Sequence, residues 1–202
     1  NPSPNVPAKK FKIEQINDKA FPYPQNNPND RADIITITNS NNSINIYPNN
    51  NNNGINTSPY NIDAGFIIND LEVADINRDG YNDIVVVSQG GTSVTVKVFF
   101  NNGSGIINST PGYTNTLSSL QNPLIAVSDL NNDGYNDLII IGNEGYGKLF
   151  INTVSNPFFS QTPDQSLELL SGLQSVNSQI KVLDIYNQGG KALFISWNGT
   201  GP

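Results

Sequence analysis

Cysteine, histidine and methionine are all missing from the 202 residues. Without cysteine there are no disulfides and no thiol chemistry. Without histidine the chain lacks the usual general base and the commonest transition-metal ligand. Methionine is missing even at position 1, so the chain reads as a processed product or a fragment, and the lack of a signal sequence says nothing about its destination. Charge is scarce as well, at 13% of residues with a net −7, and there is no basic cluster. That balance argues against nucleic-acid binding. No apolar run approaches the roughly 18 residues that a membrane span needs. Sustained helical periodicity is almost absent; Ser166 to Leu173 is the best short helical candidate.

Polarity is carried instead by asparagine, hydroxyls and glycine, a composition suited to short strands joined by many turns. One oxygen-rich loop stands out: Asp75, Asn77, Asp79, Gly80, Tyr81, Asp83. It recurs 54 residues later as Asp129, Asn131, Asp133, Gly134, Tyr135, Asp137. Each copy follows a short apolar run (Leu71, Val73; Ile125, Val127) and precedes a longer one (Ile84 to Val87; Leu138 to Ile141). Asp33, before Ile34 to Thr38, marks an earlier copy whose loop is interrupted by the polar stretch Asn17 to Asn29. Asp184 marks a later copy that has lost its other acidic positions.

The chain divides accordingly. Residues 1–10, with three prolines, read as an extended lead-in, and 11–202 as a repeat array with units at about 11–65, 66–119, 120–174 and 175–202. Each unit predicts four strands. In the second these are Leu71 to Ala74, Asp83 to Ser88, Ser93 to Phe100 and a stretch within Ile106 to Thr116. Ile55 to Ile62 and Phe158 to Leu170 are the outer segments of the neighbouring units. Four strands per unit of 50 to 55 residues predict an all-β fold, a β-propeller built of four-stranded antiparallel blades. The shortened fourth unit fits part of a larger, seven-bladed ring better than a four-bladed one.

The loop's chemistry follows from its donors. Oxygen side chains stand at positions 1, 3, 5 and 9, glycine at 6 permits a sharp turn, and the carbonyl of Tyr81 or Tyr135 at position 7 can point inward. Hard oxygen donors around a tight loop suit Ca²⁺. Mg²⁺ demands stricter octahedral geometry, and Zn²⁺ lacks its nitrogen and sulfur ligands. Helical calcium loops need an acidic residue at position 12, which here is Val86 or Ile140 within a β-branched run. The exiting element is therefore a strand. Asx-turns without metal are the bland alternative, but three carboxylates within nine residues repel one another without a cation. Two Ca²⁺ sites are expected, each stapling a hairpin.

Ala74 to Val86 resembles the FG-GAP (VCBS-type) repeat of integrin α-subunit propellers and related secreted propellers, and Val127 to Ile139 matches it equally well. The resemblance implies a seven-bladed propeller, Ca²⁺ between the first two strands of a blade, and extracellular or cell-surface binding and adhesion. It carries calcium ligands onto Asp75, Asn77, Asp79, Tyr81 and Asp83, and onto Asp129, Asn131, Asp133, Tyr135 and Asp137. The Phe-Gly and Gly-Ala-Pro signatures are not evident, which favours the broader VCBS-like group.

Other candidates have simpler readings. Sequons at Asn41, Asn56, Asn102, Asn108 and Asn198 are as frequent as chance gives in a chain this rich in Asn, Ser and Thr; if the protein is secreted, Asn102 and Asn198 are the most accessible. Trp197 and the pairs Phe99-Phe100 and Phe158-Phe159 read as core or blade-interface residues, with a carbohydrate-stacking platform as the sharper option. Gly142 to Lys148 superficially resembles a phosphate loop but lacks the spacing and leads into a strand, so it reads as a hairpin. No catalytic constellation is visible. The expectation is a non-catalytic calcium-binding module for a protein or glycan ligand, or for other chains that complete the propeller. The alternatives are a structural subunit of a surface fibre or coat and, further off, a secreted propeller enzyme.

Overall fold

The computed structural model describes residues 8–14, 16, 32–38, 42–50, 54–142, 146–168, 179–183 and 191–196. Among them there is no helix. Three four-stranded antiparallel sheets follow one another along the chain. The first orders β1 (Ala8–Glu14), β2 (Asp33–Thr38), β3 (Ser43–Tyr47) and β6 (Tyr60–Asp63), with a small ribbon of β4 (Asn49–Asn50) and β5 (Gly54–Ile55) between the last two. The second is β7 (Asp70–Ala74), β8 (Asp83–Gly90), β9 (Ser93–Phe99) and β10 (Tyr113–Ser118). The third is β11 (Leu124–Ser128), β12 (Asp137–Ile141), β13 (Tyr146–Phe150) and β14 (Gln165–Glu168). A further pair, β15 (Gln179–Leu183) with β16 (Ala192–Ser196), begins a fourth unit.

All four units share one register. The residue ending the first strand pairs with the residue opening the second: Glu14 with Asp33, Ala74 with Asp83, Ser128 with Asp137, Leu183 with Ala192. Asp33 is thus the structural equivalent of Asp83 and Asp137. The first strands also lie side by side, β1 beside β7, β7 beside β11 and β11 beside β15, as the innermost strands of propeller blades do.

The apolar residues explain the stacking. On β8, Ile84 and Val86 point into a cluster with Ile35, Ile37, Ile44 and Ile46 of the first sheet. Val85 and Val87, on the opposite face, join Leu138, Ile140 and Phe150 of the third. A strand buried on both faces needs a continuous β-branched run, and all four of these side chains are fully buried. Each contributes about 1.5–3 kcal/mol of transfer free energy as an upper bound. A third cluster, Ala126, Ile139, Ile141 and Ile180, couples the third sheet to β15. Phe99 and Phe159 are fully buried, Phe100 packs against Phe158 with ring centres 5.2 Å apart, and Tyr113 meets Phe159 edge-on at 5.6 Å. The aromatic pairs are therefore packing residues.

Several boundaries differ from expectation. β1 starts at Ala8, inside the segment read as a lead-in. The outer strands are shorter and later than expected, at Tyr60–Asp63, Tyr113–Ser118 and Gln165–Glu168. Ser166 to Glu168, part of the one helical candidate, is strand β14, because sheet pairing with Lys148, Gly147 and Tyr146 overrides a weak local preference. The interrupting stretch Asn17 to Asn29, Asp184 and Trp197 lie outside the described residues.

Candidate functional site

The two acidic loops join the first and second strands of sheets two and three, and they have the same internal geometry. Left-handed backbone occurs at the fourth and sixth positions: Arg78 (φ 59°) and Gly80 (φ 88°), then Asn132 (φ 62°) and Gly134 (φ 86°). Glycine at position six removes the steric cost there. The turn aims backbone N–H groups at the acidic side chains. Asp79 N–H donates to Asp75 Oδ1 (3.2 Å) and Asn77 Oδ1 (3.0 Å), Gly80 N–H to Asp75 Oδ2 (2.9 Å), and Tyr81 N–H to Asp79 Oδ1 (2.8 Å). The second loop repeats each bond: Asp133 N–H to Asp129 Oδ1 and Asn131 Oδ1, Gly134 N–H to Asp129 Oδ2, Tyr135 N–H to Asp133 Oδ1. Two donor-type oxygens, from positions one and three, thus face one point in each loop.

The ninth-position aspartate does something else. Asp83 is fully buried; its Oδ2 accepts from Ile76 N–H (2.9 Å) and its Oδ1 from Asn101 N–H (2.8 Å). Asp137 accepts from Leu130 N–H (2.8 Å) and Asn152 N–H (2.9 Å), and Asp33 from Ile16 N–H (2.9 Å) and Asn49 N–H (2.7 Å). In all three sheets this carboxylate clamps the start of the loop to the end of the third strand. Burial pushes the Asp83 carboxyl up to about 7, against the pull of the Asn101 and Ile76 amides and with a further push from Asp79 and Asp75. Asp137 and Asp75 are also raised, each chiefly by burial, and each with a neighbouring carboxylate of its own loop adding to the rise.

The structure therefore brings together Asp75, Asn77 and Asp79, and likewise Asp129, Asn131 and Asp133, with Tyr81 and Tyr135 joining through their N–H groups. It draws Asp83 and Asp137 into the backbone. Among the described residues no three acidic side chains are gathered to hold an ion. The chemistry of the donors still fits Ca²⁺: all are oxygens, and the set carries two carboxylates per loop, Asp75 with Asp79 and Asp129 with Asp133. Asp75, Asn77 and Asp79, and their counterparts, are the residues that would hold it.

Two features escaped the sequence reading. Asn101 Nδ2 donates to Ile16 C=O (2.8 Å) of the preceding sheet, and Asn152 Nδ2 donates to Ile76 C=O (2.9 Å) in the same way. Each asparagine follows the third strand of its unit, 18 or 15 residues after the clamping aspartate, a signal hidden by the abundance of Asn. The loops also touch each other: Asn136 Nδ2 donates to Asp75 C=O (2.8 Å), and the Arg78 guanidinium lies 4.9 Å from the Tyr135 ring centre.

Residues 27–86, which contain the clamp at Asp33 and the whole first acidic loop, match a known family model. It is the FG-GAP-like repeat. The match is consistent with the architecture: consecutive four-stranded antiparallel sheets, inner strands side by side, an acidic turn between first and second strands. The search of curated proteins finds no match. No helix among the described residues is long and apolar enough to cross a membrane. Of the sequons, Asn56, Asn102 and Asn108 are exposed, and Asn102 Oδ1 accepts from both Ser104 N–H and Ser104 Oγ–H; Asn41 and Asn198 lie outside the described residues.

Proposed function

We propose that the chain is a non-catalytic, calcium-stabilised propeller module that works outside the cell and binds a protein or glycan partner. A repeat of the FG-GAP type supports a binding role. The observation that carries the calcium reading is the paired loop geometry, in which Asp75 and Asn77, and again Asp129 and Asn131, turn their oxygens onto one backbone amide. An anionic loop of this kind gains most from a hard divalent cation that replaces repulsion with coordination. The absence of histidine, and the use of clustered aspartates in the loops and clamps, support a non-catalytic role. The ring is completed by further units to seven blades, in the same chain or another.

Thermal unfolding in Ca²⁺ and in EDTA tests the metal. Binding to N and not to U raises the melting temperature with ion concentration. Asp79→Ala with Asp133→Ala should abolish the Ca²⁺-dependent rise and change melting little in EDTA. Identical melting of the native chain in the two conditions would overturn the calcium reading. Protein and glycan arrays probed in Ca²⁺ test the module itself; no saturable binding to either array would count against it.

A further inference from the structure

Lys97 and Lys148 hold the same place in successive sheets. Lys97 pairs across the sheet with Val86 and Lys148 with Ile140, each two residues before the buried Phe99 or Phe150. Their surroundings differ. Lys97 is wrapped by a tripeptide from the connection between β6 and β7. Its Nζ donates to Ala64 C=O (2.6 Å), lies 4.6 Å from the centre of the Phe66 ring, and would be 3.4 Å from a Cβ placed on Gly65. At Lys148 the corresponding connection, Ser119 to Pro123, carries no aromatic residue. Lys148 Nζ donates to Ser166 Oγ (2.8 Å). Over it opens a groove of about 390 Å³, lined by Ser118, Ser119 and Gln121 on one side and Tyr146, Lys148 and Ser166 on the other. Tyr146 is 46% exposed there, so its ring face is open to a partner. The chain has 17 acidic residues against 10 basic, yet the described lining of this groove has one lysine and no carboxylate.

We propose that the groove between sheets two and three binds an aromatic-bearing peptide loop of a protein partner. A backbone C=O of that loop accepts from Lys148 Nζ, and its aromatic ring covers the ammonium and lies against Tyr146. The occupant's chemistry is read from the molecule itself. Ala64-Gly65-Phe66 supplies the same two elements, an acceptor and a ring, to Lys97 one sheet earlier. An ammonium favours both a carbonyl acceptor and a π-face. A hydroxyl-lined rim would suit a sugar too, but the internal precedent is a peptide. This inference rests on reading the chain as a binding module and names its partner class; it does not depend on the calcium loops, which sit at the ends of the first strands.

The probe is the pentapeptide Asp-Ala-Gly-Phe-Ile, residues 63–67 of this chain, titrated into the ¹⁵N-labelled full chain in Ca²⁺. It should shift the amide resonances of Ser118, Gln121 and Tyr146 saturably. Replacing its Phe by Ala should weaken binding about tenfold, as should Lys148→Met in the protein, while Lys148→Arg retains it. Should Lys148→Met unfold, Tyr146→Ser gives the same reading through the ring contact. The proposal fails if no saturable shift occurs at millimolar peptide, if Lys148→Met binds as well as the native chain, or if monosaccharides shift the same resonances and the peptide does not. A protein or glycan captured on arrays with equal affinity for the native chain and Lys148→Met would overturn the groove and leave the module reading standing.

Discussion

Asp83 and Asp79 are four residues apart and chemically identical, yet the structure gives them different work. Asp79 is exposed and bonds within its own loop, whereas Asp83 is buried and clamps Ile76 and Asn101. The distinction could not be read from spacing, because a nine-residue oxygen pattern places both on the list of donors. Burial decides it, and burial depends on the sheet stacked beside the loop. A measurement separates the two roles. Asp83→Ala leaves two buried N–H groups unpaired and should cost roughly 2–6 kcal/mol in Ca²⁺ and EDTA alike, on the scale of about 1–3 kcal/mol per orphaned group. Asp79→Ala should cost stability only where Ca²⁺ is present. Urea unfolding in both conditions checks the contrast. Tyr60 offers a second test at this scale. Burial between sheets one and two pushes its hydroxyl up to about 12, while Ile107 N–H donates to it and pulls it down. A phenol whose folded pKa lies above its unfolded value of 10 is held neutral by the fold, so its contribution is intact below pH 10 and is lost as pH rises toward 12. Tyr60→Phe should therefore reduce the alkaline loss of stability in that window, and denaturation at pH 9 and pH 11.5 would show it.

The second strands were legible at the scale of the element because burial on both faces imposes unbroken apolar, mostly β-branched runs, as at Ile84 to Val87 and Leu138 to Ile141. The outer strands were not. β10 alternates strictly between buried and exposed residues, and its polar members are threonine, asparagine and serine, which loops also favour. The apolar pair Ile106-Ile107 drew the expected strand too early. In the structure Ile107 makes only an isolated bridge to Asn101, and Ile106 is 54% exposed. The asparagine latches were invisible for a related reason, since nothing local separates Asn101 and Asn152 from the many turn asparagines. Their role belongs to the contact between elements. Asn101→Ala removes donations to Ile16 C=O and Asn82 C=O and the acceptor used by Gly103 N–H and Gly105 N–H. It should destabilise the chain by about 1–3 kcal/mol. Asn102→Ala, which loses only exposed bonds within its own turn, should stay within about 0.5 kcal/mol. Chemical denaturation of the two neighbouring variants makes the comparison direct.

Taken as a whole, the molecule is a stack of sheets whose inner strands are tied by one carboxylate. Asp70, at the start of β7, is 2% exposed. Its Oδ1 accepts from Leu71 N–H and pairs with Lys10 of the first sheet, and its Oδ2 accepts from Ile125 N–H (3.0 Å) of the third. Three consecutive sheets thus meet at a single side chain. The neighbouring pair of Lys12 and Glu72 (2.6 Å) spans only two sheets and is partly open to solvent. Partly exposed ion pairs contribute little, about 0–1 kcal/mol; without Asp70, Lys10 keeps solvent and Glu72 (3.8 Å), but the buried Leu71 and Ile125 amides lose their acceptor. Asp70→Ala should therefore cost roughly 2–4 kcal/mol and Glu72→Ala less than about 1 kcal/mol. The distinctive expectation concerns cooperativity. If Asp70 couples the sheets, its loss should let the first sheet open without the third. Amide exchange at Ile35 and Ile46 would then accelerate ahead of exchange at Ile139 and Ile140, whereas in the native chain the two pairs should exchange through one common opening. Uniform acceleration across all three sheets would mean that the shared apolar clusters alone bind the stack, and that Asp70 adds stability without adding coupling.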